Sequence, residues 1–197
     1  MQYFDSLPKI IKTTNGVSVL MTDLMARCSI IPEILKNPLL YYDYDIQDGD
    51  TPEIVAYKYY GNSYRYWIVL FANQITDPQW DWPLNSNSFD SYIANKYQNF
   101  NPYNTAYQYE KTITQYDATT QTTTVNNIII DENTYNTLNP SVTTYQLVTG
   151  NLTITITKSI VTYYDYEVRL NESKRTIKIL NANYVDQLEA QFQELMV

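Results

Sequence analysis

The spacing of apolar and polar residues changes period several times along this chain, and each change predicts an element. Leu39 to Ile46, LLYYDYDI, alternates: Tyr42, Tyr44 and Ile46 share one face and Asp43 and Asp45 the other, which predicts a strand. Asp48-Gly49-Asp50 predicts a turn. Thr51 then stands where a helix N-cap belongs, with Pro52 at the first helical position. Ile54, Val55, Ala56 and Tyr59 are the expected buried stripe of that helix, and Gly61 its end. Ser63 opens a second helix, in which Trp67, Ile68, Leu70 and Phe71 make a strongly apolar face and Asn73 closes it. An Asp77-Pro78 exit leads into a turn with Trp80, Trp82 and Pro83. Phe89, Ile93 and Tyr97 fall at helical spacing, and a linker follows from Asn99 to Asn104.

Residues 1–16 read as an extended arm with Tyr3 and Phe4 as exposed hooks and a turn at Thr13-Thr14-Asn15-Gly16. Val17–Met21 fits a short strand. Thr22-Asp23 is expected to cap a helix from Leu24 to about Ile31, with a second helical piece at Glu33–Lys36 that stops at Asn37-Pro38. Between residues 105 and 168 the chain turns dense in Thr, Tyr, Asn and β-branched residues, which predicts two hairpins. One pairs Lys111–Tyr116 with Gln121–Val125; the other pairs Thr143–Val148 with Leu152–Thr157 around Gly150-Asn151. Tyr166–Ser173 fits a helix and Thr176–Leu180 a short strand. Asn183 is expected to cap a last helix whose Val185, Leu188, Phe192 and Leu195 form a narrow apolar seam, with Asp186, Glu189 and Glu194 on the wet side.

Composition removes several classes of function. Net charge is −8 with only 13 Lys and Arg, which argues against a nucleic-acid partner. There is no histidine, so Ser-His-Asp and Cys-His nucleophiles and histidine metal sites are excluded. The single cysteine, Cys28, lies in the apolar run LMARCSII and fits an inert structural thiol. Asp43 and Asp45 sit side by side on one strand face rather than opposed across a cleft, and Asp48-Gly49-Asp50 is too short for a calcium loop. No phosphate loop, GxSxG, HExxH or CxxC occurs. No enzyme activity, metal or cofactor is therefore expected. No apolar run is long enough to span a bilayer, so no membrane partner is expected. The start, MQYFDSLPKII, lacks the basic and apolar regions of a signal peptide, which points to a cytoplasm. The 21 tyrosines offer large contact area with a polar tip, a composition suited to interfaces.

The order strand, Gly-Asp-Thr turn, two helices and Asn/Asp-Pro exit over Tyr44–Pro78 resembles the LysM module, a βααβ binding unit. The flanking sequence resembles a narrower group, the LysM-containing baseplate wedge subunits of T4-like contractile-tailed phages. The residues that carry this are Tyr3-Phe4-Asp5, Met21-Thr22-Asp23, Glu53, Ala56, Tyr60-Gly61-Asn62, Tyr66-Trp67, Asn73, Asp77-Pro78 and Trp80-Trp82. Near the end they are Tyr166-Glu167, Asn171-Glu172 and Arg175-Thr176-Ile177-Lys178-Ile179. Two departures stand out: Leu84–Tyr97 reads polar and then helical, so the closing strand of a LysM unit is expected to be altered or missing, and the β-rich stretch 105–162 does not resemble the family, whose likeness covers roughly residues 1–100 and 163–197.

The expected fold is α+β. A LysM-like strand-helix-helix core (39–100) follows an N-terminal arm and short helix (1–38). A β-rich insert (101–168) and a C-terminal strand and docking helix (169–197) come after it. The resemblance implies a structural protein present in multiple copies in a virion tail baseplate, in the host cytoplasm during assembly. It implies joining of neighbouring wedge subunits and contact with the sheath-initiator region. Tyr3, Phe4, Trp80, Trp82, Leu188, Phe192 and Leu195 are the expected partner contacts. The alternative implied by LysM modules at large is a peptidoglycan N-acetylglucosamine binder, with a groove at Asp50, Thr51 and Ile75.

Overall fold

A computed structural model describes residues 3–26, 28–30, 32–148 and 150–196, with the side chains of Pro32 and Glu33 set aside. The chain divides into two compact units, Met1–Ser86 with Asn171–Val197, and Asn87–Leu170. In chain order the strands are β1 (Lys9–Thr14), β2 (Val17–Thr22), β3 (Tyr41–Asp45), β4 (Ala106–Asp117), β5 (Thr122–Ile130), β6 (Ser141–Leu147), β7 (Gly150–Thr162) and β8 (Thr176–Leu180). The helices are α1 (Pro32–Leu35), α2 (Pro52–Tyr60), α3 (Tyr66–Ala72), α4 (Pro78–Asp81), α5 (Ser86–Lys96), α6 (Glu132–Thr137), α7 (Tyr163–Ser173) and α8 (Val185–Leu195). The fold is α+β, as expected.

The first unit is built on local signals. Thr51 accepts a hydrogen bond from the Ile54 N–H at 3.4 Å and caps α2, with Pro52 behind it. Gly61 ends the helix in the left-handed region at φ 67°, donating its N–H to the Tyr57 carbonyl. Asn62 accepts from the Tyr64 N–H and starts the 3-10 turn that runs into α3. The buried face of α2 is turned from the expected one: Val55, Ala56 and Tyr60 face inward, while Ile54 and Tyr59 are exposed. They meet Trp67, Ile68, Val69 and Ala72 of α3, and Val185 and Phe192 of α8.

The strand that pairs with β3 comes from more than a hundred residues away. β8 lies antiparallel to β3, with Tyr41 opposite Leu180, Asp43 opposite Lys178 and Asp45 opposite Thr176. Alternation along β8 sends Ile177 and Ile179 into the core and Lys178 out. The segment 84–97 forms no strand, as expected, and Ser86–Lys96 is helix α5; the partner of β3 is supplied by the distant Thr176–Leu180. The side chain of Asn73, at the end of α3, clamps β8 from the helix side. It donates to the Lys178 carbonyl at 2.8 Å and accepts from the Lys178 N–H at 2.7 Å.

The arm is more ordered than expected at residues 9–14, which pair with β2 as a hairpin; Asn15 and Gly16 both take positive φ in its turn. The helix expected over 24–31 is not formed in its described part. Asp23 accepts from the Met25 N–H at 2.9 Å, a side-chain turn that competes with helix initiation. Arg27 and Ile31 lie outside the described residues.

The second unit holds a four-stranded antiparallel sheet in the order β5-β4-β7-β6. Both expected hairpins form, and both run longer than expected. Leu147 pairs with Gly150, so the second turn lies before Gly150-Asn151 rather than at it. The sequence did not announce the long β4–β7 pairing that fuses the two hairpins. At one end the sheet is gripped by polar anchors. Glu110 accepts from Arg169 at 2.6 Å and from Gln108 at 2.7 Å. Glu167 accepts from the Tyr97 hydroxyl at 2.6 Å and from Lys96 at 2.7 Å. Around them Tyr107 stacks on Tyr166 at 4.1 Å and packs edge-on to Tyr163. Part of the tyrosine excess thus serves the protein's own packing.

Candidate functional site

The C-terminal helix carries the clearest candidate surface. Asn181 accepts from the Asn183 N–H and starts the 3-10 turn Ala182–Tyr184, which leads directly into α8. One side of α8 is pinned by Arg65, whose guanidinium donates to Asp186 at 2.6 Å and to Glu189 at 3.1 Å. Glu189, expected on the wet side, is therefore held in an ion pair. Toward the core, the Phe192 ring packs on Trp67 at 4.9 Å, Tyr3 at 5.4 Å and Phe71 at 6.2 Å. The Trp67 indole N–H is buried in this cluster without a hydrogen-bond partner among the described residues.

Between these two sides an apolar groove of about 360 Å³ runs along α8. Leu188, Phe192 and Leu195 of α8 line it together with Cys28, Ile30, Ile34 and Leu40, and Tyr41, Phe71 and Leu180 complete the apolar lining. Ser29, Gln187 and Gln191 are polar but uncharged, and no charged side chain is among the described lining residues. Burial pushes the Cys28 thiol above its ordinary range, as for an inert thiol. The groove can take an apolar side chain or an amphipathic segment; it offers nothing that activates a nucleophile or holds a metal. Among the described residues no cluster of three or more acidic, Cys or His side chains could bind a metal ion. No helix among them is long and apolar enough to cross a membrane.

The expected contact residues separate into two groups. Phe4 (57 % exposed), Trp80 (64 %) and Leu195 (74 %) are open to solvent, and Leu188 is half-buried in the groove wall. Tyr3, Trp82 and Phe192 are drawn into the chain's own core. Trp82 is 7 % exposed and donates its indole N–H to the Asp50 carbonyl at 2.8 Å. Phe192 is 3 % exposed. These three are engaged in intramolecular packing, Tyr3 partly and Trp82 and Phe192 almost fully, because their large apolar areas gain from burial.

The three residues of the alternative glycan groove serve the fold. Asp50 accepts from Lys58 at 2.6 Å, from the Tyr44 hydroxyl and from the Gln47 N–H. Burial works against its charge, but Lys58 and Tyr44 outweigh burial and hold its carboxyl below the usual range. Thr51 is spent on its cap, and Ile75 packs against the core. Sequence reasoning missed the groove residues of the 28–40 segment, although Ile30, Ile34 and Leu40 recur there among polar residues.

Residues 2–195 match the base plate wedge protein 53 family. The chain belongs to this family. A curated relative, the baseplate wedge protein gp53 of Enterobacteria phage T4, is 28 % identical over 102 residues, covering 49 % of this chain and 50 % of the relative. The chain thus spans about half the length of the curated relative it matches. Family membership places it among the structural proteins of the phage tail baseplate wedge.

Proposed function

We propose that this chain joins neighbouring wedge subunits in the tail baseplate and reaches the sheath-initiator region, acting by protein contacts alone. It does so in multiple copies, after assembly in the host cytoplasm. The observation that carries the reading is the family match over nearly the whole chain. The uncharged groove along α8 supports it, since an apolar, preformed groove suits a partner's amphipathic segment. Phe4, Trp80 and Leu195 supply further exposed apolar anchors. Several modest contacts of this kind add up when many copies are held in one assembly.

The core of the first unit is read as LysM-like. Support comes from the order β3, α2, α3 and then β8, with β8 antiparallel to β3 and a helix packed on it. In this reading the closing strand has been separated from its helices by the intervening chain. Glycan binding draws no support from Asp50, Thr51 and Ile75, whose polar atoms and side chains are already engaged.

The test is reconstitution of wedge complexes from purified subunits with Leu195→Glu and Trp80→Ala variants. Both positions are exposed, so folding is expected to survive. Loss of co-sedimentation with the other wedge proteins, with an unchanged melting temperature, supports the reading. Full incorporation of the double variant sinks it.

A further inference from the structure

The two central strands of the second unit's sheet, β4 and β7, are amphipathic, and among the described residues helix α6 covers their aliphatic face at one end. The register places Ile113, Ile128, Ile154, Ile156, Leu152 and Tyr145 on one face. On the opposite face the central strands carry threonine, Thr112, Thr114, Thr153, Thr155 and Thr157, while the edge strands place Val125, Ile129 and Val142 there. Side-chain contacts between Thr112 and Asn127 and between Thr144 and Thr153 lie on this threonine face, as the register requires. Helix α6 covers the aliphatic face near Tyr109, where Tyr135 packs its ring at 4.9 Å and takes a hydrogen bond from Lys158 on its carbonyl. Beyond that row Ile113, Ile154 and Ile156 are half-exposed, and Ile128, Tyr145 and Leu147 are exposed.

A sheet whose central strands present aliphatic side chains on one face and threonine on the other calls for a second layer on the central aliphatic side. Three features identify that layer as a second copy. The open rows on this face, Ile113 with Ile156 and Gln115 with Ile154, carry no charge, so two copies meet there without repulsion despite a net charge of −8. The charged residues flank them: Lys111 and Lys158 lie at the α6 end of the face, where Lys158 is held on the Tyr135 carbonyl and over its ring, and Asp117 lies at the turn end. A two-fold that reverses the strands brings Lys111 of one copy over Asp117 of the other. Asp117 accepts from the Thr119 N–H at 2.8 Å, and such backbone bonds hold its carboxyl below the usual range, so it is charged at neutral pH. The size also fits. Four strands about 4.8 Å apart and about six residues long present roughly 400 Å² of flat face per copy. With side-chain relief counted on both copies, that approaches the roughly 1,000 Å² at which a specific interface begins.

We propose that two copies of the chain pack the open aliphatic faces of their four-stranded sheets together, with strands reversed, as an aligned sandwich. The α6 helices bound the contact at either end. This self-association belongs to the free chain and does not depend on the wedge reading.

Sedimentation velocity of the full chain tests it. The wild type is expected to show a reversible dimer at micromolar concentrations, and Ile154→Lys to be monomeric. Thr155→Lys, on the hydroxyl face of the same strand, is expected to leave the dimer intact. Lys111→Asp is expected to weaken the dimer about tenfold or more through two symmetry-related like-charge contacts. The double variant Lys111→Asp/Asp117→Lys is expected to restore it, which keeps the idea testable even if Ile154→Lys does not fold. A wild type that stays monomeric overturns the proposal, as does a dimer indifferent to Ile154→Lys, one lost equally with Thr155→Lys, or a charge swap that fails to rescue. A face that becomes protected only when another wedge protein is added also overturns it.

Discussion

Asn73→Ala isolates the clamp that holds a distant strand onto the helices of the first unit. The side chain makes three hydrogen bonds: to the Val69 carbonyl at 2.8 Å, to the Lys178 carbonyl at 2.8 Å and from the Lys178 N–H at 2.7 Å. A net worth of about 1 kcal/mol each gives about 3 kcal/mol. Lys178 is exposed, so water can re-satisfy part of its backbone, and the expected loss is about 2 kcal/mol. Backbone strain adds nothing, because Asn73 sits at φ −104°, which alanine adopts freely. Trp67, Trp80 and Trp82 are the chain's 3 tryptophans and all belong to the first unit, so their fluorescence reports that unit alone. With a urea slope of about 2 kcal/mol per molar, the midpoint is expected to fall by about 1 M. Amide exchange supplies the local readout: Lys178 is expected to lose protection before the remainder of β8. An unchanged midpoint together with unchanged exchange at Lys178 would refute the clamp.

Three further outcomes follow from the same structure. Phe192→Ala opens a hole beside Trp67, Tyr3 and Phe71 and is expected to cost about 3–5 kcal/mol, measured by urea unfolding; a cost below about 1 kcal/mol would place the ring outside the core. Tyr60→Phe removes the buried hydroxyl that donates to the Leu180 carbonyl at 3.1 Å and is expected to cost about 1–2 kcal/mol in the same assay, whereas a neutral result would deny that bond. The second unit should weaken in acid. Burial of Glu167 opposes its charge, but Lys96 and Tyr97 prevail and lower its pKa, and Arg169 lowers that of Glu110. A depressed folded pKa gives stability that is present above the unfolded value of about 4.3 and is lost as pH falls through the folded one. Melting followed by circular dichroism across that window should show the loss, and Glu167→Gln should flatten it; an identical acid slope in the variant would count against the anchor.

Elements marked by local chemistry are readable in the amino-acid sequence alone. The Thr51-Pro52 start and Gly61 end of α2, the Asn15-Gly16 turn and the strand at Thr176–Leu180 all depend on residues within a few positions of one another. The helix expected at 24–31 failed for an equally local reason, the Asp23 side-chain turn, which competes with a helix and is not separable from an N-cap by residue type alone. Trp80 and Trp82 show the limit from another side. They are two residues apart with the same composition around them, yet one is exposed and the other donates to the Asp50 carbonyl. Which of them turns inward depends on where residue 50 lies in space.

The α+β class, the strand–turn–helix–helix run, both hairpins and the absence of histidine chemistry follow from residue order and inventory. They rest on period, capping and composition, all of which act over short range. Three features belong instead to the folded chain: the strand that closes the first core, the fusion of the two hairpins through β4 and β7, and the apolar groove that α8 shares with residues 28–40. Those depend on pairing across long stretches of chain. Any alternating strand presents suitable edges to many others, and only the simultaneous burial of Ile177, Ile179, Val55, Ile68 and Phe192 selects one partner.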